Sequence, residues 1–108
     1  MANTFKNFFS KSVGTSAATI YTCPAATQTT VIGLTVANTT AANITTDVYI
    51  TSSGVDYYLV KGATVPVGGG LVPVGGDQKV VLETGDLLKV VCSVATSADV
   101  TLSLLEIT

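Results

Sequence analysis

The stretch ITTDVYITSSGVDYYLV, residues 44–60, alternates apolar and polar side chains on both sides of a Ser-Gly pair. Its first half, residues 44–52, presents one set of side chains to a core and the other to solvent, which is the period of a half-buried β-strand. Ser53 and Gly54 are typical of a tight turn, and residues 55–60 then resume the alternation. This stretch predicts a β-hairpin.

The same two-residue period continues on either side of this hairpin. The chain contains 18 Thr and 16 Val, and such β-branched residues favour strands over helices. The predicted strands are residues 17–23, 28–37, 44–52, 55–60, 79–83, 87–93 and 99–107. Seven or eight short strands, with no crossover helices between them, predict an all-β fold built as a single antiparallel β-sandwich. Its connections are expected to be of the jelly-roll or the immunoglobulin-like Greek-key kind.

Glycine and proline mark two further segments as turns or edges. The pentapeptide Val-Pro-Val-Gly-Gly occurs at residues 65–69 and again at residues 72–76. Because proline cannot donate to a sheet ladder, we expect both copies on a sheet edge or in a connection. Thr84-Gly85-Asp86 is predicted to turn strand 79–83 directly into strand 87–93, which would make a second hairpin.

The first sixteen residues differ from the remainder of the chain. All three phenylalanines, Phe5, Phe8 and Phe9, fall here, and their spacing of three and four places them on one face of a helical turn. We therefore expect residues 1–16 to form an N-terminal arm and residues 17–108 to form the sandwich domain. So short a helix needs an apolar surface to lie on, either its own sandwich or a neighbouring subunit. The three phenylalanines are thus the candidate partner-binding residues.

The chain carries few charges. Charged residues make up 11% of it, with a net charge of −2, five Lys and no Arg, whereas ordinary soluble domains have about 25%. Since solubility relies on interspersed charges, we expect partners to cover much of the surface. A nucleic-acid partner is not expected, because no basic residues cluster. No apolar run approaches the roughly 20 residues that span a bilayer, and the start lacks a secretory stretch, so we expect neither a membrane partner nor export.

The residues of most catalytic and metal sites are missing. The absence of His and Arg removes His-dependent triads, His metal ligands and arginine clamps. The seven carboxylates fall singly among strands and turns, where each is expected to be solvated or to shape a turn. Cys23 and Cys92 lack a metal-type spacing, so they are either two free thiols or a disulfide between strands. We therefore expect no enzymatic activity, no cofactor and no metal site.

Two tyrosines are the remaining candidates for a binding surface. If strands 44–52 and 55–60 pair across their turn, Tyr49 and Tyr58 project from the same polar face. They form either a surface aromatic patch, which could stack on a sugar or anchor a protein interface, or a pair of cross-strand neighbours that fill space.

Three stretches together carry a family resemblance: the phenylalanine-rich start MANTFKNFFSKSVGTSA, the Thr- and Val-rich β-domain, and VGGDQKVVLETGDLLKV at residues 74–90. In this arrangement the chain resembles small virion structural proteins of tailed bacteriophages. The resemblance implies a homo-oligomer made in the host cytoplasm and located in the virion, as a capsid decoration or cement protein. Its partners would be other copies of itself and a major capsid or other virion protein. A tail, neck or baseplate component and a glycan-binding module on the virion are the alternatives.

Overall fold

The computed structural model of the chain describes residues 2–75 and 79–108, and the regular structure in these ranges is entirely β. This confirms the predicted all-β class. The described residues form no helix long and apolar enough to cross a membrane. The strands are β1 (Asn3–Val13), β2 (Ala18–Thr22), β3 (Gln28–Asn38), β4 (Ile44–Ser52), β5 (Val55–Val65), β6 (Gly70–Val74), β7 (Val80–Leu82), β8 (Leu87–Cys92) and β9 (Ala98–Ile107).

The strands form two antiparallel sheets that pack against each other as a sandwich. Sheet A has the order β1-β9-β3-β6, and β7 also pairs with β3. Sheet B has the order β2-β8-β4-β5. The pairs are nested in sequence, because β4 pairs with β5, β3 with β6 and β7, β2 with β8, and β1 with β9. A long hairpin rolled up in this way is a jelly roll, which was one of the two predicted connection patterns.

One core lies between the sheets. It takes fully buried side chains from both, including Leu34 and Leu102 from sheet A and Leu88 and Val90 from sheet B. Each buried Leu or Val stabilises the fold by roughly 1.5–3 kcal/mol relative to leaving it exposed. Every second residue of β9, from Ala98 onwards, is buried, so the period of the sequence maps directly onto the two faces of the sheet.

The predicted central hairpin is present. The bounds of β4 are those predicted, and β5 runs on to Val65. Ser53 and Gly54 have φ angles of 52° and 79°. Positive φ at both central residues belongs to the type I′ turn, whose twist matches that of the strands it joins.

The predicted helical turn in the first sixteen residues is wrong. Asn3–Val13 is instead the strand β1, which pairs antiparallel with β9 at the edge of sheet A. Phe8 lies on the core side, while Phe5 and Phe9 lie on the outer side. An isolated helix of this length is marginal, whereas β9 offers a full ladder of hydrogen bonds and an apolar partner.

The predicted second hairpin is also wrong. The turn at Thr84 and Gly85 exists, but β7 pairs with β3 in sheet A and β8 pairs with β2 and β4 in sheet B. Cys23, just after β2, holds this turn by main-chain hydrogen bonds, donating to Asp86 O (2.9 Å) and accepting from Gly85 N (3.0 Å). These contacts carry the chain across to the other sheet instead of back along the first.

The repeated pentapeptide takes two conformations. The first copy, residues 65–69, is a turn closed by a 3.0 Å hydrogen bond from Gly69 N to Pro66 O. The second copy enters the edge strand β6, which contains Pro73. Both placements agree with the prediction, and Gly76, at the end of the second copy, lies outside the described residues.

Candidate interaction surface

Three adjacent rows on the outer face of sheet A carry no charged side chain, and the row beyond Phe9 holds Asp99, which pairs with Lys11. Cross-strand partners in an antiparallel sheet share a face, so the registers of β1, β9, β3 and β7 line up side chains in lateral rows. We call these rows, with Ile32, the uncharged face. Read from β1, the rows are Phe5-Leu105-Thr30-Val81, Asn7-Ser103-Gly33 and Phe9-Thr101-Thr35.

Three large side chains of the uncharged face are mostly open to solvent. The exposed fraction is 75% for Phe5, 68% for Phe9 and 64% for Val81. An open groove of about 620 Å³ runs beside Phe5, with Ile32 and Ser103 in its lining. Contiguous exposed apolar surface in a soluble protein marks a place where something binds. The alternation of β1 creates this surface, because it turns two of the three phenylalanines outward.

The third phenylalanine has a different role. Phe8 packs against Tyr21 of sheet B, with ring centroids 5.0 Å apart and an interplanar angle of 57°. Tyr21 belongs to the core cluster, and Phe8 packs against that cluster. Of the three predicted partner-binding residues, Phe5 and Phe9 are therefore available at the surface, and Phe8 joins the two sheets.

A buried polar network lies beside this aromatic contact. Tyr21 OH donates a 2.6 Å hydrogen bond to Glu106 Oε2, and Lys6 Nζ lies 2.9 Å from Glu106 Oε1. A further 2.8 Å hydrogen bond joins Tyr21 OH to Thr29 Oγ1. Glu106 is only 5% exposed, so the expectation that each carboxylate is solvated or shapes a turn is wrong here. The network links β1, β9 and β3 of sheet A to β2 of sheet B.

The electrostatics of this network indicate a structural role. The hydrogen bond from Tyr21, and then that from Lys6, lower the pKa of Glu106. Burial, and then the carboxylate, raise the pKa of Tyr21 far above its usual range. Glu106 therefore stays ionised and Tyr21 stays protonated near neutral pH, which suits a fixed hydrogen bond rather than proton transfer. The burial of Glu106 could have been inferred from its position in the sequence, because Glu106 continues the alternating buried series Val100, Leu102 and Leu104.

The second candidate surface is the tyrosine pair. Tyr49 and Tyr58 are cross-strand partners, and their ring centroids lie 5.0 Å apart. Tyr49 is only 8% exposed, and burial raises its pKa. Tyr58 is 45% exposed, and Lys61 Nζ lies 4.4 Å from the centroid of its ring. The structure thus brings the two residues together, but a tyrosine and an ammonium group already contact the more exposed ring.

Both cysteines are free thiols and buried. Cys23 Sγ lies 3.4 Å from Thr27 O, and Cys92 Sγ lies 3.6 Å from Thr46 Oγ1. Within residues 2–75 and 79–108, no group of three carboxylate or thiol side chains is placed to hold a metal ion.

Comparison of the chain with protein families, with curated proteins and with solved structures found no match.

Proposed function

We propose that the chain is a structural protein of a virus particle, a capsid decoration or cement protein that stabilises the shell through contacts between copies and with a major capsid protein. The single observation that carries the proposal is the uncharged face, where Phe5 and Phe9 are 75% and 68% exposed. In a chain with only 11% charged residues, such a face is suited to being covered by a partner.

The energetics support a role that depends on many copies. Burying each phenylalanine of the uncharged face contributes roughly 1.5–3 kcal/mol. Much of this is offset by the cost of association, so one contact alone is weak. A repeated lattice of such contacts multiplies the effect through avidity, because a copy held at one point meets its next contact at high effective concentration.

The nested strand order gives further support by analogy. Jelly rolls are common among viral capsid domains, although they also occur in lectins and cupins. A fold by itself does not assign a function. The proposal of a virion protein therefore combines this analogy with the resemblance carried by the three sequence stretches.

The test is particle binding by a double variant of the uncharged face, Phe5→Ser with Phe9→Ser. The matched control is Val55→Ser with Val94→Ser, since these side chains are also exposed, at 50% and 43%. We expect particles that lack the protein to bind the first variant at least tenfold more weakly than the wild type, and the control as well as the wild type. Quantitative mass spectrometry of purified particles measures occupancy, and thermal unfolding checks that both variants fold. Equal occupancy for the two double variants would contradict the proposal.

Copy number separates the shell from the alternative locations. A decoration protein would be present in hundreds of copies, whereas a tail, neck or baseplate component would be present in about a dozen, as expected for a ring.

For the glycan-binding alternative, Tyr58 would have to offer a free ring face, and Lys61 Nζ lies 4.4 Å from that ring. Glycan-array binding that is lost on Tyr58→Ala would favour this alternative over the shell protein.

A further inference from the structure

Among the described residues, one edge of sheet A has no partner strand. β1 is the last strand of the sheet order, and within the described part of the chain only β9 pairs with it. Ala2 and Thr108 exchange two main-chain hydrogen bonds, of 3.1 and 2.9 Å, in the same register. Because such exchanging pairs alternate along an antiparallel ladder, Asn3, Phe5, Asn7 and Phe9 direct their N–H and C=O groups away from β9. Their hydrogen-bonding groups are therefore open to another strand.

The edge of β1 is less protected against strand addition than the other sheet edges. Short strands, prolines, bulges and charged side chains normally blunt an edge. Among the other edge strands, β2 has five residues, β6 contains Pro73, and β5 pairs with two register shifts. β1 pairs regularly from Asn3 to Ser10, where Lys6 contacts Glu106, and its register shift and its second lysine, Lys11, lie beyond Ser10. A regularly paired edge without proline, such as residues 3–10, favours pairing with another chain.

The sequence of β1 is complementary to itself in one antiparallel register. A two-fold axis at Asn7 places Phe5 opposite Phe9 of the second copy, and Phe9 opposite Phe5. Both aromatic pairs then lie on the outer side, where cross-strand aromatic contacts stabilise a sheet. The outward-directed main-chain groups meet in the same register, because Asn3, Phe5, Asn7 and Phe9 all occupy alternate positions. The pair Thr4 and Ser10 falls on the other side of the sheet.

Neighbouring registers are less favourable. With the axis at Lys6, that lysine would face its own copy, and like charges directly opposite each other destabilise a sheet. With the axis at Phe8, Phe5 would face Lys11, and the two aromatic pairs would be lost. With the axis at Asn7, neither lysine meets a lysine, since Lys6 lies opposite Phe8 and Lys11 opposite Asn3.

We propose that two copies of the chain join through the free edges of β1, antiparallel and with the two-fold axis at Asn7. The two copies of sheet A then form one continuous sheet, and the two uncharged faces become a single surface. This inference rests on the proposed function only in treating the chain as a self-assembling protein. It adds the second copy as the partner of the β1 edge and fixes the register.

Disulfide trapping tests the register. In a hydrogen-bonded antiparallel pair the two Cα atoms at Asn7 would be about 5.5 Å apart, within the roughly 4.4–6.8 Å that a disulfide spans. We expect Asn7→Cys to form a dimer in a mild oxidant such as diamide. Phe5→Cys alone should not, because its two copies would lie about 13 Å apart along the strands. An equimolar mixture of Phe5→Cys and Phe9→Cys should cross-link. Cys23 and Cys92 are 2% and 5% exposed and serve as the unreactive background.

Cross-linking of Phe5→Cys alone to the extent seen for Asn7→Cys would overturn the register, and a failure of Asn7→Cys to cross-link would overturn the dimer.

A second measurement uses Asn7→Pro, which removes only an outward-directed N–H, with Asn7→Thr as the control that keeps it. Sedimentation should show at least tenfold weaker dimerisation for Asn7→Pro alone, and equal dimerisation of the two variants would contradict the proposal. Both experiments use the purified chain without particles. Cross-linking without particle binding would therefore reject the proposed function, and particle binding without cross-linking would reject only this inference.

Discussion

The two long edge strands, β1 and β5, have the same length and are held in opposite ways. Each has eleven residues and ends its sheet. β5 pairs with β4 through two register shifts, and Gly62 within it has a φ of 66°. β1 pairs regularly with β9 from Asn3 to Ser10. Equal length therefore does not give equal access, because the bulges of β5 interrupt the row of free main-chain groups that β1 keeps intact from Asn3 to Ser10, before its own register shift.

The side chains that anchor the two strands also differ. In β5, Gly62 N donates a 2.6 Å hydrogen bond to Asp47 Oδ1, and Lys61 Nζ lies 3.8 Å from Asp47 Oδ2, near the surface. In β1, Lys6 reaches inward to the buried Glu106, and Phe8 packs on Tyr21. The comparison indicates that Lys6 and Phe8 fix β1 from its inner side. On the outer side Lys11 and Ser12 bond to Asp99 at the end of the strand, so the outer side and the edge from Asn3 to Ser10 are free for a partner.

The largest expected effect comes from removing the inner anchor of β1. We expect Glu106→Ala to lower the free energy of unfolding by about 3 kcal/mol, because Tyr21 and Lys6 lose a buried acceptor. The equivalent change beside β5, Asp47→Ala, should cost about 1 kcal/mol or less, since its partner Lys61 is mostly exposed and lies 3.8 Å away. Urea unfolding measures both. Equal losses would mean that the two edges are anchored equally.

A somewhat smaller effect should separate the two sides of β1. Phe8→Ala is expected to cost about 2 kcal/mol, because it leaves a gap against Tyr21 at the rim of the core. Phe9→Ala should change the stability of the monomer by less than about 0.5 kcal/mol, since that side chain is exposed in the single chain. The same unfolding assay distinguishes the variants. A similar cost for both would contradict the assignment of Phe8 to the core side.

The third prediction concerns the bulge of β5. Gly62→Ala should lower the free energy of unfolding by about 1 kcal/mol, because the positive φ at this position strains a residue that has a Cβ. The added Cβ would meet nothing within 4 Å, so no steric clash contributes. Gly33→Ala is the control, since its φ is not positive and its nearest contact would be 3.9 Å away. That change should be neutral or stabilising by up to about 1 kcal/mol. A neutral Gly62→Ala would show that β5 does not need the bend.

The smallest expected effect depends on pH. Because the pKa of Glu106 is lowered on folding, its ionisation contributes stability above the ordinary value of 4.5. That contribution should be lost as the pH falls from 4.5 through the lower value of the folded state. Glu106→Gln keeps an acceptor for Tyr21 but does not titrate, so its stability should depend less on pH over this range. Unfolding midpoints measured at several pH values compare the two proteins, and parallel curves would contradict the lowered pKa.

Local alternation was sufficient to predict most of the sandwich. The bounds of residues 44–52 follow from period-two alternation and a Ser-Gly turn, both of which lie within a few residues. The partner strand of β1 lies at the other end of the chain, so no residue near Phe5 indicates that β1 pairs with it. The spacing of three and four between the phenylalanines fits a helix as well as a strand. The turn at Gly85 was recognised from its residues, with a φ of 89°, but Cys23 decides which sheets it joins.

The candidate surfaces show the same limit. The contact of Tyr49 with Tyr58 follows from the register of one hairpin, and it was predicted from the turn alone. The burial of Glu106 depends on Tyr21 and Lys6, which come from two other strands. Without knowledge of these partners, the charge of Glu106 predicts a solvent-exposed side chain. The uncharged face requires four strands to be placed side by side, and the sequence alone does not supply their order.

The pairing of β1 with β9 has a consequence for the order of synthesis. Ala2 and Thr108, which pair at the end of this ladder, lie 106 residues apart. At translation rates of about 5–20 residues per second, β1 waits roughly 5 to 20 s for its partner strand to be made. During that time Phe5, Phe8 and Phe9 belong to an unpaired nascent segment. On a polysome, the strand that two finished copies are proposed to share is thus within reach of neighbouring chains before either has folded.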